Sequence, residues 1–464
     1  MKSRAVIILF AFICSYIIIN TSENWKNRVF QWDKSGYHVY LPAAFIYNSI
    51  DSLAFYPIIN GTYRPSLNGD WYAIYSTEKG RKVNRYQIGL AILEAPFFLI
   101  AHAYNLTFKQ YSFDGYSVPY QYGTLFSSVF WTVIGLVLLR RLLKRYYNEN
   151  IVAATLLAVA FGTNLYHYNV FDGGMAHPYS FFQFSTVLYF TDSLYRTGKN
   201  KYLYLLAMML GLVVITRVSN IVVTFVPLLW GVYNLATFKE RLTFYSQKRL
   251  HIVLGVILFL GVIMLQIGYW KYTTGYWIYD TYPDEGFIWS QPRIWRGLFG
   301  FQKGWFIYTP LAFVAVVGLL ALRKQYKQFV LPIVLFLIVN IYIVFSWWNW
   351  WYGGGFGARS LIETLAIMSF PLAAAFAYVS KKNKPVIVAA GVILLLLVSL
   401  NILQSYQRHK GVLHYERMSF KAYTKLFFET TYKPEFEEYY MPNSEFYKEM
   451  DGRWDTIQKK HGEK

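Results

Sequence analysis

Long apolar runs alternate with short, cation-rich turns along most of this chain. The first run, 5–19, follows Met1-Lys2-Ser3-Arg4 and precedes Asn20-Thr21-Ser22-Glu23-Asn24-Trp25. It has the form of a signal peptide, but no small-residue cleavage site follows, so it reads as an uncleaved anchor with a cytoplasmic start. Further runs able to cross a hydrocarbon core of about 30 Å lie near 123–139, 151–169, 179–191, 202–216, 220–236, 251–269, 306–322, 329–346, 361–379 and 385–402. The pattern predicts an all-α integral membrane fold of about eleven transmembrane helices. Residues 20–122 form a long first outer loop. In it, Tyr40-Leu41-Pro42-Ala43-Ala44-Phe45-Ile46-Tyr47 suits an interfacial helix. The stretch 88–104 is apolar but carries Glu94, Pro96 and His102, with no cationic cluster before the next helix. It reads as re-entrant or interfacial. The expected division is a membrane domain over 1–402 and a short polar outer tail over 403–464.

The cationic turns orient the chain. Clusters fall at Arg140-Arg141 with Lys144-Arg145, at Arg196/Lys199/Lys201, at Lys239/Arg241 with Lys248-Arg249, at Arg323-Lys324/Lys327 and at Lys381-Lys382/Lys384. Each lies between an even-numbered helix and the next, so a cytoplasmic N-terminus puts all of them in the cytoplasm, as the positive-inside rule requires. These turns are too short for a nucleotide-binding domain. No phosphate-binding GxxxxGK[ST], no strand-bound GxGxxG and no HExxH occurs. Gly353-Gly354-Gly355-Phe356-Gly357 follows a membrane helix, not a strand.

Composition agrees. Of 464 residues, 55% are hydrophobic and only 15% charged, against about 25% charged in an ordinary soluble domain. Mean hydropathy is +0.26. A net charge of +20 would suggest nucleic acid in a soluble protein; here it belongs to the cytoplasmic turns, and no nucleic acid is expected. The lone Cys14 excludes an internal disulfide and a cysteine metal site. Aromatic residues reach 20%. Interface belts use some of them; stacking on sugar or polyprenyl surfaces is a use for the rest.

Unusual polar residues gather in the outer segments. Asp33, in Trp32-Asp33-Lys34-Ser35-Gly36-Tyr37-His38, is a carboxylate near an interface, where desolvation makes a better general base. An N-cap or an ion pair with Lys34 accounts for it equally well. Asp172 and His177 occupy Asp172-Gly173-Gly174-Met175-Ala176-His177-Pro178, either as a second polar pair in a cleft or, somewhat in preference, as caps of a tight turn. Arg217 is a lone cation on the outer side, suited to a phosphate by its fork or to lipid headgroups by snorkelling. Lys303 lies in a segment, 291–310, rich in cations, glycines and aromatics, fit for an anionic headgroup or for interfacial anchoring. Trp347-Trp348-Asn349-Trp350-Trp351-Tyr352 runs into the glycines and then Arg359, which opens a helix where backbone N–H groups also favour an anion.

Taken in order, these segments resemble the GT-C superfamily of membrane glycosyltransferases, which includes dolichyl-phosphate-mannose protein mannosyltransferases and bacterial aminoarabinose transferases. The likeness rests on Trp32-Asp33-Lys34-Ser35-Gly36-Tyr37, Asn84-Arg85-Tyr86-Gln87-Ile88-Gly89 leading to Ala95-Pro96-Phe97-Phe98, Thr216-Arg217-Val218-Ser219-Asn220, Lys303-Gly304-Trp305-Phe306-Ile307-Tyr308-Thr309-Pro310 and Trp351-Tyr352-Gly353-Gly354-Gly355-Phe356-Gly357-Ala358-Arg359-Ser360. It implies a GT-C-like fold in a bacterial inner membrane, with the active site and C-terminus extracytoplasmic. It also implies a polyprenyl-phosphate-linked sugar donor, a glycan, lipid or protein acceptor of the envelope, and contact with membrane lipids. Asp33 becomes the general base, with Asp172 and His177 as further catalytic candidates. Arg85, Tyr86, Arg217, Lys303, Trp351 and Arg359 become substrate-binding candidates. The chain departs from many relatives by carrying Lys34 where a second acidic residue stands, and Val218 and Ala358 where prolines stand. A divalent metal is therefore an open expectation, and no nucleotide cofactor is expected.

Three other classes fit the pattern, one of them a non-catalytic structural or assembly partner with a degenerate site. A transporter or flippase needs polar groups near the bilayer midplane, whereas most here lie at outer helix ends. A lipid-linked glycan ligase or polymerase shares the outward-facing logic.

Overall fold

The computed structural model describes residues 2–21, 29–64 and 73–462, the last three by backbone alone. The chain is predominantly helical. Six helices are long and apolar enough to cross a membrane: Lys2–Asn20, Gly89–Phe108, Val118–Leu143, Arg249–Thr274, Lys327–Ser346 and Lys384–His409. The remaining apolar runs form Glu149–Phe161, Ala176–Thr197, Asn200–Thr216, Pro310–Gln325 and Thr364–Val379. The run expected over 220–236 is instead a 3-10 turn, Val218–Thr224, and a five-residue helix, Phe225–Leu229. Ten of the eleven expected segments are thus α-helical over most of their length, though several are shorter than a full span, and the one over 220–236 is not.

Local chemistry sets the boundaries. The Asn148 side chain accepts from the N–H groups of Asn150 and Ile151, capping Glu149–Phe161. Asn234 and Thr237 form a reciprocal cap at Leu235–Gln247. Thr364–Val379 is buried continuously from Thr364 to Ala374 and so has no polar face; it is the core of the bundle. Pro310–Gln325 packs on it through Gly318, where a methyl group would collide with the Pro371 carbonyl. Arg249–Thr274 and Lys384–His409 are apolar yet mostly exposed. That is the arrangement of helices facing lipid tails.

The cationic turns come together at one end. Ser3 bonds Glu149 and Arg140, and Arg145 pairs with Asp192 at 2.5 Å. Tyr326 donates to the Tyr146 carbonyl, Lys248 to Asn200 and the Gly198 carbonyl, and Gln325 to the Ala374 carbonyl. The opposite end carries the long first loop. There lie the short helices Asp33–His38, Tyr40–Phe45 and Tyr56–Tyr63, and a hairpin pairing Ile74–Ser76 antiparallel with Lys82–Asn84.

Gly89–Phe108 starts against the Ile215 carbonyl, at the end of Asn200–Thr216 away from the cationic turns. It runs beside Val118–Leu143, with Trp131 Nε1 donating to the Leu93 carbonyl at 2.9 Å and His102 Nδ1 2.6 Å from the Tyr120 hydroxyl. Its last residue leads through 109–117 to Val118, so the two helices run antiparallel, and the stretch expected to be re-entrant or interfacial is one continuous 20-residue helix, itself long and apolar enough to cross a membrane.

Lys384–His409 continues past residue 402. The segment after it folds back as Phe420–Lys425, the 3-10 turn Pro434–Glu438 and Asn443–Gly462. It grips the tryptophan-rich loop: the Arg453 guanidinium donates to the carbonyls of Trp347 (3.0 Å) and Trp348 (2.6 Å), and Phe446 packs edge-on against Trp351.

Candidate functional site

A cavity of about 1420 Å³ opens at the end of the bundle away from the cationic turns. Its wall includes Asp33, Arg85, Tyr86, Asp172, His177, Arg217 and Arg359, which are far apart in sequence.

Asp33 opens its short helix, and both its oxygens are engaged. Oδ1 accepts from the Tyr86 hydroxyl at 2.7 Å and Oδ2 from Arg359 Nη2 at 2.9 Å. Both charged side chains are 16% exposed. Tyr86 follows directly from the small hairpin, which turns it over Gly36; a methyl at Gly36 would overlap the Tyr86 ring. Burial alone would lower the Arg359 pKa, but the adjacent Asp33 charge outweighs it and holds the guanidinium above its usual range.

Lys34 does not pair with Asp33. It bonds Asp172 Oδ1 at 2.7 Å, joining the first loop to the 170–178 turn. Burial pushes the Asp172 carboxyl up, but the Lys34 ammonium more than compensates and the net shift is downward. In that turn Gly174 adopts φ +84°, which favours glycine, and its N–H donates to Ser128 Oγ at 3.0 Å.

His177 belongs to a different cluster. Its Nδ1 lies 3.2 Å from Glu363 Oε2, and Arg217 Nη1 lies 2.9 and 3.2 Å from Nδ1 and Nε2. Arg217 can only donate and the Glu363 carboxylate only accept, so the His177 ring sits between a donor and an acceptor. Arg217 Nη1 is also 3.9 Å from Glu363 Oε1. Glu363 is 2% exposed and anchors the arginine from behind, and its charge, set against the cost of burial, raises the Arg217 pKa. Glu363 was missed in the sequence because it lies inside an apolar run; a carboxylate there needs a partner, which was the available signal.

Arg85 is held by Glu285 at 2.8 Å, with its guanidinium over the rings of Tyr75 and Tyr282 at 5.1 and 4.9 Å. Lys303 and Trp351 lie outside the cavity wall. The Lys303 ammonium, 2% exposed, donates to the carbonyls of Gly355 and Tyr415, the latter at 2.6 Å. Burial, with Arg408 nearby, lowers its pKa well below the usual value. Trp351 is 3% exposed, packed among Trp348, Trp350 and Phe446. The cavity also takes in Arg408, Tyr415 and Glu416, which sequence reasoning had assigned to no site.

The acidic groups do not suit a divalent cation. Asp33 is met by a guanidinium and Asp172 by an ammonium, and among the described residues no three His, Cys, Asp or Glu side chains converge. The chemistry this arrangement can perform is acid–base and anion-binding: a carboxylate with a hydroxyl already at one oxygen, and four guanidinium groups, those of Arg85, Arg217, Arg359 and Arg408, on the same cavity.

No protein-family model and no curated protein matches the chain. Among solved structures it is similar to the crystal structure of the Archaeoglobus fulgidus oligosaccharyltransferase tethered with an acceptor peptide containing the NVT sequon via a disulfide bond. Identity is 12% and the TM-score 0.49, over 96% of this chain and 58% of that one. The chain therefore spans little more than half the length of that protein.

Proposed function

We propose that this chain is an integral membrane glycosyltransferase that moves a sugar from a polyprenyl-phosphate carrier to an acceptor on the extracytoplasmic side of a bacterial inner membrane. The observation that carries the reading is the Asp33 carboxylate, fixed by Arg359 and presented with Arg217 in one large cavity opposite the cationic end of the bundle.

The Tyr86 hydroxyl marks where an acceptor hydroxyl sits. When the acceptor replaces it, Oδ1 of Asp33 takes the acceptor's proton, while Arg359 keeps the other oxygen in place. The acceptor oxygen attacks the anomeric carbon, and the bond from that carbon to the carrier's phosphate oxygen breaks with its electron pair going to the phosphate. Arg217 and Arg359 stabilise that charge. One carboxylate suffices because a single displacement inverts the anomeric centre. The phosphate ester supplies the driving force, which accounts for the missing nucleotide motif. Val218, Ile221 and Ile343, apolar residues on the same wall, suit the first isoprene units of the carrier.

The test is transfer by purified protein in lipid, with polyprenyl-phosphate sugars as donors. Asp33→Asn is expected to slow transfer on the order of 10²–10⁴-fold. Arg217→Ala is expected to weaken donor binding by about 1.5–3 kcal/mol, the worth of a charged hydrogen bond. Near-normal transfer by Asp33→Asn removes the mechanism.

A further inference from the structure

Arg408 is the cation of the cavity wall whose charge the protein leaves unmatched. It stands at the end of Lys384–His409. The other three guanidinium groups of the wall each face a carboxylate: Arg85 has Glu285 at 2.8 Å, Arg359 has Asp33 at 2.9 Å and Arg217 has Glu363 at 3.9 Å. Arg408 has no such partner among the described residues. The charges of Asp172 and Glu416 reach it, but Asp172 is bonded by Lys34 at 2.7 Å and Glu416 makes no bond to it. Its Nη2 donates to the Gly354 carbonyl at 2.5 Å, and its guanidinium carbon lies 5.9 Å from the centre of the Tyr415 ring. Its Nε is buried with no hydrogen-bond partner, and its Nη1, which is not buried, makes no bond among the described residues. His167, 5% exposed on the same wall and within reach of the Arg408 charge, also has an Nδ1 without a partner. A largely buried charge that its own protein does not pair is costly. A guanidinium cannot escape that cost by losing its proton. An oxyanion brought in from outside removes it, and the open Nη1 is where it binds.

The surroundings say which ligand carries that oxyanion. Arg217 adjoins Val218 and Ile221, which are 51% and 44% exposed and suit an isoprenoid tail. Arg408 has polar company: Gly354 from the glycine loop, and Tyr415 and Glu416 from the fold-back segment, none of them in a membrane-spanning helix. Arg408 is nevertheless close to the proposed base. A methyl group at Gly355 would come within 2.7 Å of Cδ of Arg359, so the arginine that holds Asp33 and the one that bonds Gly354 meet neighbouring glycines.

Resting on the glycosyltransferase reading, we propose that the acceptor is anionic and that Arg408 holds its oxyanion, a phosphate or carboxylate, while Arg217 takes the carrier's phosphate. The acceptor then reaches from Arg408 to Asp33, with its anion at the first and its reacting hydroxyl at the second.

The test is binding to the full-length protein in detergent, with no transfer taking place. The probes are methyl glucuronide and glucose 6-phosphate as soluble anions, methyl glucoside as their neutral match, and undecaprenyl phosphate for the carrier. Saturation-transfer NMR titrations read the soluble probes and isothermal titration reads the carrier. At least one soluble anion is expected to bind, at least tenfold more tightly than methyl glucoside. Arg408→Gln should weaken it at least tenfold and Arg217→Ala less than about threefold. Undecaprenyl phosphate should show the reverse. Thermal unfolding guards against a trivial loss: Arg408→Gln keeps an N–H donor for the Gly354 carbonyl and removes an unmatched charge, so its midpoint should not fall. Arg408→Lys keeps the charge and loses the fork, so its affinity for the anion should lie between the parent and Arg408→Gln. A parent that binds the soluble anion through Arg408 but transfers no sugar keeps this site and removes the glycosyltransferase reading. No preference for either soluble anion over methyl glucoside, or anion binding unchanged in Arg408→Gln, overturns the proposal. So does a loss of undecaprenyl phosphate binding in Arg408→Gln as large as that of the soluble anion, which would assign Arg408 to the carrier.

Discussion

The Asp33–Arg359 pair is the contact on which the site most depends, and it makes a quantitative prediction. Two residues more than 300 positions apart meet at 2.9 Å, each 16% exposed. At that separation and an effective dielectric of about 20, the attraction is roughly 6 kcal/mol before desolvation is charged against it. Removing one partner of a largely buried pair leaves the other uncompensated, which costs about 3–5 kcal/mol. Asp33→Asn and Arg359→Gln should each destabilise the protein by that order. The double variant Asp33→Asn/Arg359→Gln should be more stable than the sum of the singles predicts, because an amide pair leaves no charge unmatched. The expected coupling is at least about 2 kcal/mol, within the range for contacting residues. The assay is denaturant or thermal unfolding of the four proteins in one detergent, with transfer measured in parallel. Transfer should be lost in Asp33→Asn and not restored in the double variant, which separates the base from the strut. Additive singles, with coupling under about 0.5 kcal/mol, would refute the ion pair. A double variant that transfers normally would refute the role of Asp33.

Lys303→Met should free the fold-back segment from the glycine loop, since the carbonyls of Gly355 and Tyr415 lose their common donor; limited proteolysis should then cut after residue 410 faster than in the parent, and an unchanged pattern would count against the clamp. His414 lies in that segment with its pKa lowered to about 4 by burial and by Arg417, and its Nδ1 accepts from the N–H groups of Glu416 and Arg417. A base whose folded pKa is depressed contributes stability that is present above its unfolded pKa, about 6.5, and is lost as pH falls towards 4. Protection factors over 410–459, corrected for the slower intrinsic exchange at low pH, should therefore fall between pH 7.5 and 5, while equal protection at both would remove His414 from the docking. For orientation, cysteines placed at the exposed Glu435 and Glu240 should be labelled from outside and from inside the cell respectively; the reverse pattern would invert the molecule.

The helical character and the two ends of the bundle were legible because they are local. Apolar runs long enough to cross a bilayer can satisfy their backbone only as helices, and the cationic turns repeat at each second connection. Residues such as Asp33, Arg217 and Arg359 were noticeable because charge is scarce here and each stood away from those turns. What the sequence could not specify is pairing. Lys34 stands beside Asp33 yet bonds Asp172, while Asp33 takes Arg359, because side-chain direction on a short helix is decided by what packs around it. Lys303 had the composition of an anion site but lies buried with its donors on carbonyls, since the fold-back segment covers it. Glu363 was hidden in an apolar run until the fold placed Arg217 and His177 around it. The length of the apolar runs marked most of the segments that form apolar helices; only tertiary packing decided which charges meet, because an ion pair inside a low-dielectric bundle depends on distances of a few ångströms between residues hundreds of positions apart.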